Sequence, residues 1–103
     1  MREPVYYLAG KMRGTADLGR AHFNAVEKLL RERGAKVLNP AILPVDLPDK
    51  VYMPICLAML READVVVMLD GWESSAGANM EKRYAESLGK FMMTEGMIHG
   101  QTD

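Results

Sequence analysis

Short β-branched runs alternate along this chain with longer stretches of helical periodicity. Val5–Ala9 is apolar throughout and predicts a first strand. Gly10 and Gly14 bracket the loop behind it. Residues 17–33 predict a helix: at about 100° per residue, Leu18, His22, Ala25, Val26, Leu29 and Leu30 share one arc, and Arg20, Asn24, Glu27 and Arg31 share the other. Gly34 ends it. Residues 36–39 predict a short strand stopped by Pro40. Residues 40–49 hold Pro40, Pro44 and Pro48 and predict a stiff surface loop. A second helix is expected over 53–62, with Pro54 in its first turn, where proline costs least. Asp64 then introduces residues 65–69, a continuous apolar run suited to a strand buried on both faces. Residues 70–75 form the next loop, 76–88 a third helix ended by Gly89, and 91–93 a last strand. The β-α-β-α-β-α-β order predicts one α/β domain over residues 1–103, a three-layer Rossmann or flavodoxin-like fold of about four parallel strands with helices on both faces. Right-handed crossovers then gather the strand C-terminal ends, and the binding crevice, on one side, at the loops beginning with Gly10, Pro40 and Asp70.

Composition narrows the function classes. The chain has 103 residues, thirteen basic against fourteen acidic, for a formal charge of −1. That balance gives no global attraction to a nucleic acid polymer or an anionic membrane. The apolar runs are far too short to span a bilayer, and the first residues lack signal-peptide anatomy. One cysteine, Cys56, excludes an internal disulfide framework and suits a reducing cytoplasm. His22 and His99 are too scattered to read as a metal site, so neither metal nor cofactor is expected. Nine methionines read as core filler or as a flexible interface.

The third helix carries the most informative residue. With Met80 taken as zero on the helical wheel, Tyr84, Gly77, Leu88, Glu81 and Ala85 span one arc, and Asn79, Lys82, Arg83 and Glu86 fall on the other. Glu81 thus falls near the middle of the apolar face, in about the first turn, at the crevice end. A carboxylate there is costly unless it is paired, protonated or open to a cavity. Two readings stand: a catalytic carboxylate in a pocket, or a buried residue paired with Arg13 or Lys11. The Gly10-Lys11-Met12-Arg13-Gly14 loop lets backbone amides and Arg13 approach a phosphate, or is an ordinary turn with two solvated cations. Ser75 at the start of the glutamate helix is a helix cap, a small anion site, or both. Trp72 stacks on a base or covers the sheet edge.

Three segments together resemble the nucleoside 2-deoxyribosyltransferase superfamily: Tyr7-Leu8-Ala9-Gly10-Lys11-Met12-Arg13-Gly14, Ala63-Asp64-Val65-Val66-Val67 and Ser75-Ala76-Gly77-Ala78-Asn79-Met80-Glu81. Within it they look most like the nucleoside 5′-monophosphate N-glycosidases, including the 2′-deoxynucleoside 5′-phosphate N-hydrolases. A small branch frequent in phage and bacterial genomes carries a G-W-x-x-S-x-G-A-x-x-E pattern, which residues 71–81 match. The resemblance covers nearly the whole chain.

The resemblance implies roles. Glu81 matches the family nucleophile, which attacks the anomeric carbon and forms a glycosyl-enzyme intermediate, as in retaining glycosidases. Tyr7 matches a tyrosine near sugar and nucleophile. Gly10, Arg13 and Gly14 match the loop around sugar and phosphate, and Gly77 belongs to the same substrate-binding set. At Ser75, six residues before Glu81, transferases of free nucleosides carry an aspartate, whereas monophosphate hydrolases carry a phosphate-binding serine. The implied substrate is therefore a nucleoside monophosphate or nucleoside, cleaved by hydrolysis or base exchange. The chain departs from the pattern at Cys56, eight residues before Asp64, where characterised members carry an aspartate. Asp70 is the acid expected to substitute for it, and Asp64 reads as a junction residue. The alternative is a nucleotide-binding module without turnover. Members also use a C-terminal segment to complete a neighbouring subunit's site, and Met97-Ile98-His99-Gly100 resembles that segment. A homodimer or larger assembly is expected, with Tyr52, Met53, Met59 and the methionines near the C-terminus as candidate contacts.

Overall fold

In a computed structural model, which describes residues 3–99, the chain forms one four-stranded sheet. The strands are β1 (Val5–Ala9), β2 (Lys36–Leu38), β3 (Val65–Met68) and β4 (Phe91–Thr94), all parallel, in the spatial order β2-β1-β3-β4. The helices are α1 (Arg20–Glu32), α2 (Asp49–Glu62), α3 (Ala76–Ser87) and α4 (Glu95–His99). Consecutive strands lie on opposite sides of β1, so the chain reverses direction between β1 and β3. A ligand crevice opens at such a switch point, beyond the strand C-terminal ends.

Alternation along the central strands divides the core in two. Tyr7, Ala9, Val66 and Met68 pack with Cys56 and Leu60 of α2 and Ala78 and Ala85 of α3. Leu8, Val67 and Leu69 pack on the other side with Phe23, Val26 and Leu30 of α1 and Ile98 of α4. Burial on both faces explains the unbroken apolar character of β3. At the opposite end of the sheet, Asp64 Oδ2 accepts the Val5 N–H at 2.8 Å, the junction role expected of it.

Several boundaries differ from the sequence expectation, each for a local reason. Leu18 (φ 57°) and Gly19 (φ 75°) are left-handed, so α1 starts only at Arg20, and Asp17 accepts the N–H groups of Gly19 and Ala21 ahead of it. Pro40–Ile42 is a 3-10 turn rather than a surface loop: Asn39 Oδ1 accepts the Ala41 N–H at 2.8 Å, and Pro40 and Ala41 are buried. The second helix begins at Asp49, after Pro48, which places Pro54 inside it rather than in its first turn. The buried line of α3 is Ala78, Glu81 and Ala85, which keeps Glu81 and Ala85 of the expected arc and adds Ala78, while Leu88 of that arc is exposed. Because α3 starts at Ala76, Glu81 lies in its second turn.

Candidate active site

The loops after β1 and β3, with the starts of α2 and α3, enclose a cleft of about 440 Å3. That lies within the roughly 300–1,000 Å3 of small-ligand pockets. Tyr7 and Cys56 form its floor, fully buried, and Glu81 on α3 is 6% exposed. The Tyr7 hydroxyl donates to Glu81 Oε2, and no other hydrogen bond to Glu81 occurs among the described residues. Neither Arg13 nor Lys11 pairs with it.

Electrostatics follow from burial. Desolvation pushes the Glu81 carboxyl up to about 7, against the opposing effect of the Tyr7 hydrogen bond. The helix dipole gives little relief, because it fades beyond the first turn. Burial, reinforced by the Glu81 charge, holds the Tyr7 hydroxyl far above the usual phenol range. Burial and then Glu81 push the Cys56 thiol up to about 11, although Tyr7 and Tyr52 hydrogen-bond to it. The floor thus holds one carboxyl group poised near neutrality among groups that stay uncharged.

The glycine-rich loop forms one wall. A Cβ at Gly10 would lie 3.0 Å from Leu69 Cβ and 3.3 Å from Phe23, so only glycine lets β1 turn here against the end of β3. Lys11, Met12 and Arg13 line the cleft, and Arg13 pairs with Asp49 at the first position of α2. Gly14 (φ 81°) shapes the loop from outside the lining. The opposite wall is Ser74, Ser75, Ala76 and Gly77. Ser75 Oγ accepts the Ala78 N–H at 3.1 Å, a helix cap inside the cleft. Gly77 faces Ser75 Oγ, which would stand 4.0 Å from an added Cβ.

The structure gathers Tyr7, Gly10, Arg13, Ser75, Gly77 and Glu81 around one cleft and leaves Asp70 out. The Asp70 side chain is exposed, and its N–H donates at 2.9 Å to Glu95 Oε1, which turns the loop toward α4. Asp70 is thus not among the residues that line the cleft beside Cys56. Trp72 is also absent from the lining; it packs on the core, with Lys82 Nζ 5.8 Å above its ring.

The sequence reading missed Asp49, Tyr52 and Met12. The Tyr52 hydroxyl lies 2.8 Å from Met12 Sδ and 3.2 Å from the Pro40 carbonyl, so it closes one side of the cleft. The only signal was the helix start, which, set at Asp49, brings that residue and Tyr52 to the crevice end of α2. The histidines are not scattered either. His22 and His99 both contact the buried Glu95, at 2.6 and 3.3 Å. Burial favours its neutral form, but the Asp70 N–H and the two imidazoles outweigh this and hold it below the usual carboxylate range. Residues 97–99 lie in α4 against the chain's own core, with Ile98 fully buried and Arg33 donating to its carbonyl at 2.9 Å; Gly100 lies outside the described residues.

The family model described as "Domain of unknown function (DUF4406)" matches residues 4–94. A 2-desoxiribosyltransferase from Leishmania mexicana superposes with a TM-score of 0.73 at 24% identity, over 88% of this chain and 63% of that one. The chain thus spans less than two thirds of that protein's length. A CMP N-glycosidase of Clostridium botulinum, BcmB, superposes with a TM-score of 0.66 at 19% identity, over 87% of this chain and 69% of that one. No curated protein matches. At these identities the likeness establishes a shared fold, a flavodoxin-like α/β fold.

Proposed function

The chain belongs to the DUF4406 family, and from that premise we propose that it breaks the N-glycosidic bond of a (deoxy)nucleoside 5′-monophosphate through a covalent glycosyl ester on Glu81. One observation carries this reading: a buried carboxyl group on the cleft floor whose single described partner is the Tyr7 hydroxyl. Salt-bridged burial would explain such a glutamate without chemistry, and no cation contacts it among the described residues. The two superposed proteins, one named as a deoxyribosyltransferase and one as an N-glycosidase, support glycosyl transfer or cleavage as the class of reaction.

In this reading each group has its own work. Tyr7 holds Oε2, which leaves Oε1 to attack the anomeric carbon. The C–N bond breaks as the C–O bond forms, and the base leaves with the bonding pair and takes up a proton from solvent water at the cleft mouth. Water, or a second base, then attacks the same carbon and gives up a proton to solvent, and the ester C–O bond breaks to release Glu81 as carboxylate. Hydrolysis and base exchange differ only in that acceptor. Ser75 and Arg13, on facing walls, receive the 5′-phosphate. Attack needs ionised Glu81, so the rate rises with pH through about 7, well above the range of an ordinary carboxylate.

A second reading, nucleotide binding without turnover, draws on Cys56. With its thiol pushed to about 11, the floor offers no acid stronger than Glu81 to protonate the departing base. A panel of nucleoside monophosphates, assayed for free base with wild type and Glu81→Gln, separates the two. The enzyme reading expects base from wild type and a loss of at least about a thousandfold in the variant. The binding reading expects intact nucleotide from both, with a thermal shift. Self-association belongs to the same proposal, with a homodimer as the expected state.

A further inference from the structure

Arg13 and Asp49 meet across the mouth of the cleft, one from the loop after β1 and the other from the first residue of α2. Both line the cleft, and their side chains are 74% and 61% exposed. An ion pair so open to water is held weakly. It nevertheless occupies the guanidinium assigned to the substrate phosphate. A phosphate dianion offers that fork two parallel hydrogen bonds and more charge than a carboxylate, so it can displace Asp49.

We infer that Asp49 is a positioning and specificity residue, which holds Arg13 across the cleft mouth in the free protein and yields it to the phosphate of an incoming nucleoside monophosphate. A nucleoside without phosphate leaves the pair closed. The inference rests on the proposed function for its ligand class. It also explains how an arginine on a mobile-length side chain stays at the mouth when no ligand is bound: Asp49 fixes its direction, at the cost of competing with the phosphate. Asp49 acts through Arg13 and touches no reacting atom.

Calorimetric titration of the four 2′-deoxynucleoside 5′-monophosphates and the matching nucleosides tests this, using wild type, Asp49→Asn, Arg13→Ala and the double variant, with circular dichroism to check folding. Asp49→Asn is expected to bind monophosphate about two- to fivefold more tightly, with the nucleoside unchanged within twofold. Arg13→Ala weakens monophosphate binding by roughly tenfold or more. In the Arg13→Ala background the Asp49→Asn gain shrinks below twofold. In turnover, the gain falls on KM for the monophosphate rather than on kcat. Four outcomes overturn the inference: no change or weakening in Asp49→Asn, an equal change for both ligand types, a gain undiminished without Arg13, or no monophosphate binding by wild type. Binding that follows the expected pattern without base release sinks the glycosidase reading alone. Base release with an unchanged monophosphate-to-nucleoside ratio sinks this inference alone.

Discussion

Glu81 is costly to the fold in the ionised state that the proposed chemistry uses. Its carboxyl is raised by burial from the usual 4.5 to about 7, so between those pH values the folded chain binds more protons than the unfolded one. Stability therefore falls as pH rises through that window and stays lower above it. Glu81→Gln keeps an acceptor for Tyr7 and removes the charge. It should raise the melting temperature at pH 8, by the equivalent of at most about 3 kcal/mol, and the gain should vanish near pH 4. A gain independent of pH in thermal unfolding contradicts this account. Glu81 was legible because a carboxylate on an apolar helical face breaks the pattern. That Asp70 falls outside the cleft lining was not legible, because a polar residue at a strand end looks the same whichever way its loop turns. Asp49 was invisible because its partner, Arg13, lies in a distant loop, and periodicity says nothing about pairs of loop residues.

Elements set how precisely those residues meet. The βα loops bring Tyr7 and the glycine-rich turn to the switch point, and α3 carries both Ser75 and Glu81. Ser75 has two separable duties there. As the α3 cap, its loss in Ser75→Ala costs about 1 kcal/mol of stability. Ser75→Asp retains a capping oxygen and keeps that stability, but adds a charge that repels phosphate. Monophosphate binding should therefore fall in both variants, and stability only in Ser75→Ala. Titration that finds Ser75→Asp binding monophosphate as well as wild type contradicts the assignment. β1 and the core of β3 were plain in the sequence because strands buried on both faces read as unbroken apolar runs. Helix starts were less plain. The left-handed Leu18 and the start of α2 directly after Pro48 are set by local turn geometry, with Asp17 accepting the Gly19 and Ala21 N–H groups, which hydrophobic periodicity does not register. The α4 turn was missed because its anchor, Glu95 between His22 and His99, is a long-range cluster.

At the scale of the whole molecule, a nearly neutral chain offers no global field for a polyanion, and the proposed function asks one cleft, lined by Arg13 and Ser75, to grip a single phosphate. No helix among the described residues is long and apolar enough to cross a membrane. Tyr52 bonds within the molecule, and the large apolar side chains most open to solvent among the described residues are Phe91 (76%), Ile42 (70%) and Val45 (63%). The proposed homodimer would cover Ile42 and Val45. Sedimentation velocity should show a dimer at tens of micromolar that dissociates on Ile42→Lys; a monomer at every concentration contradicts it. None of these assembly effects decides whether Glu81 is a nucleophile. The most direct measurement is free-base release from a panel of (deoxy)nucleoside 5′-monophosphates by wild type and Glu81→Gln at pH 8. The account predicts base from the wild type and essentially none from the variant; intact nucleotide with both, or equal release by both, contradicts it.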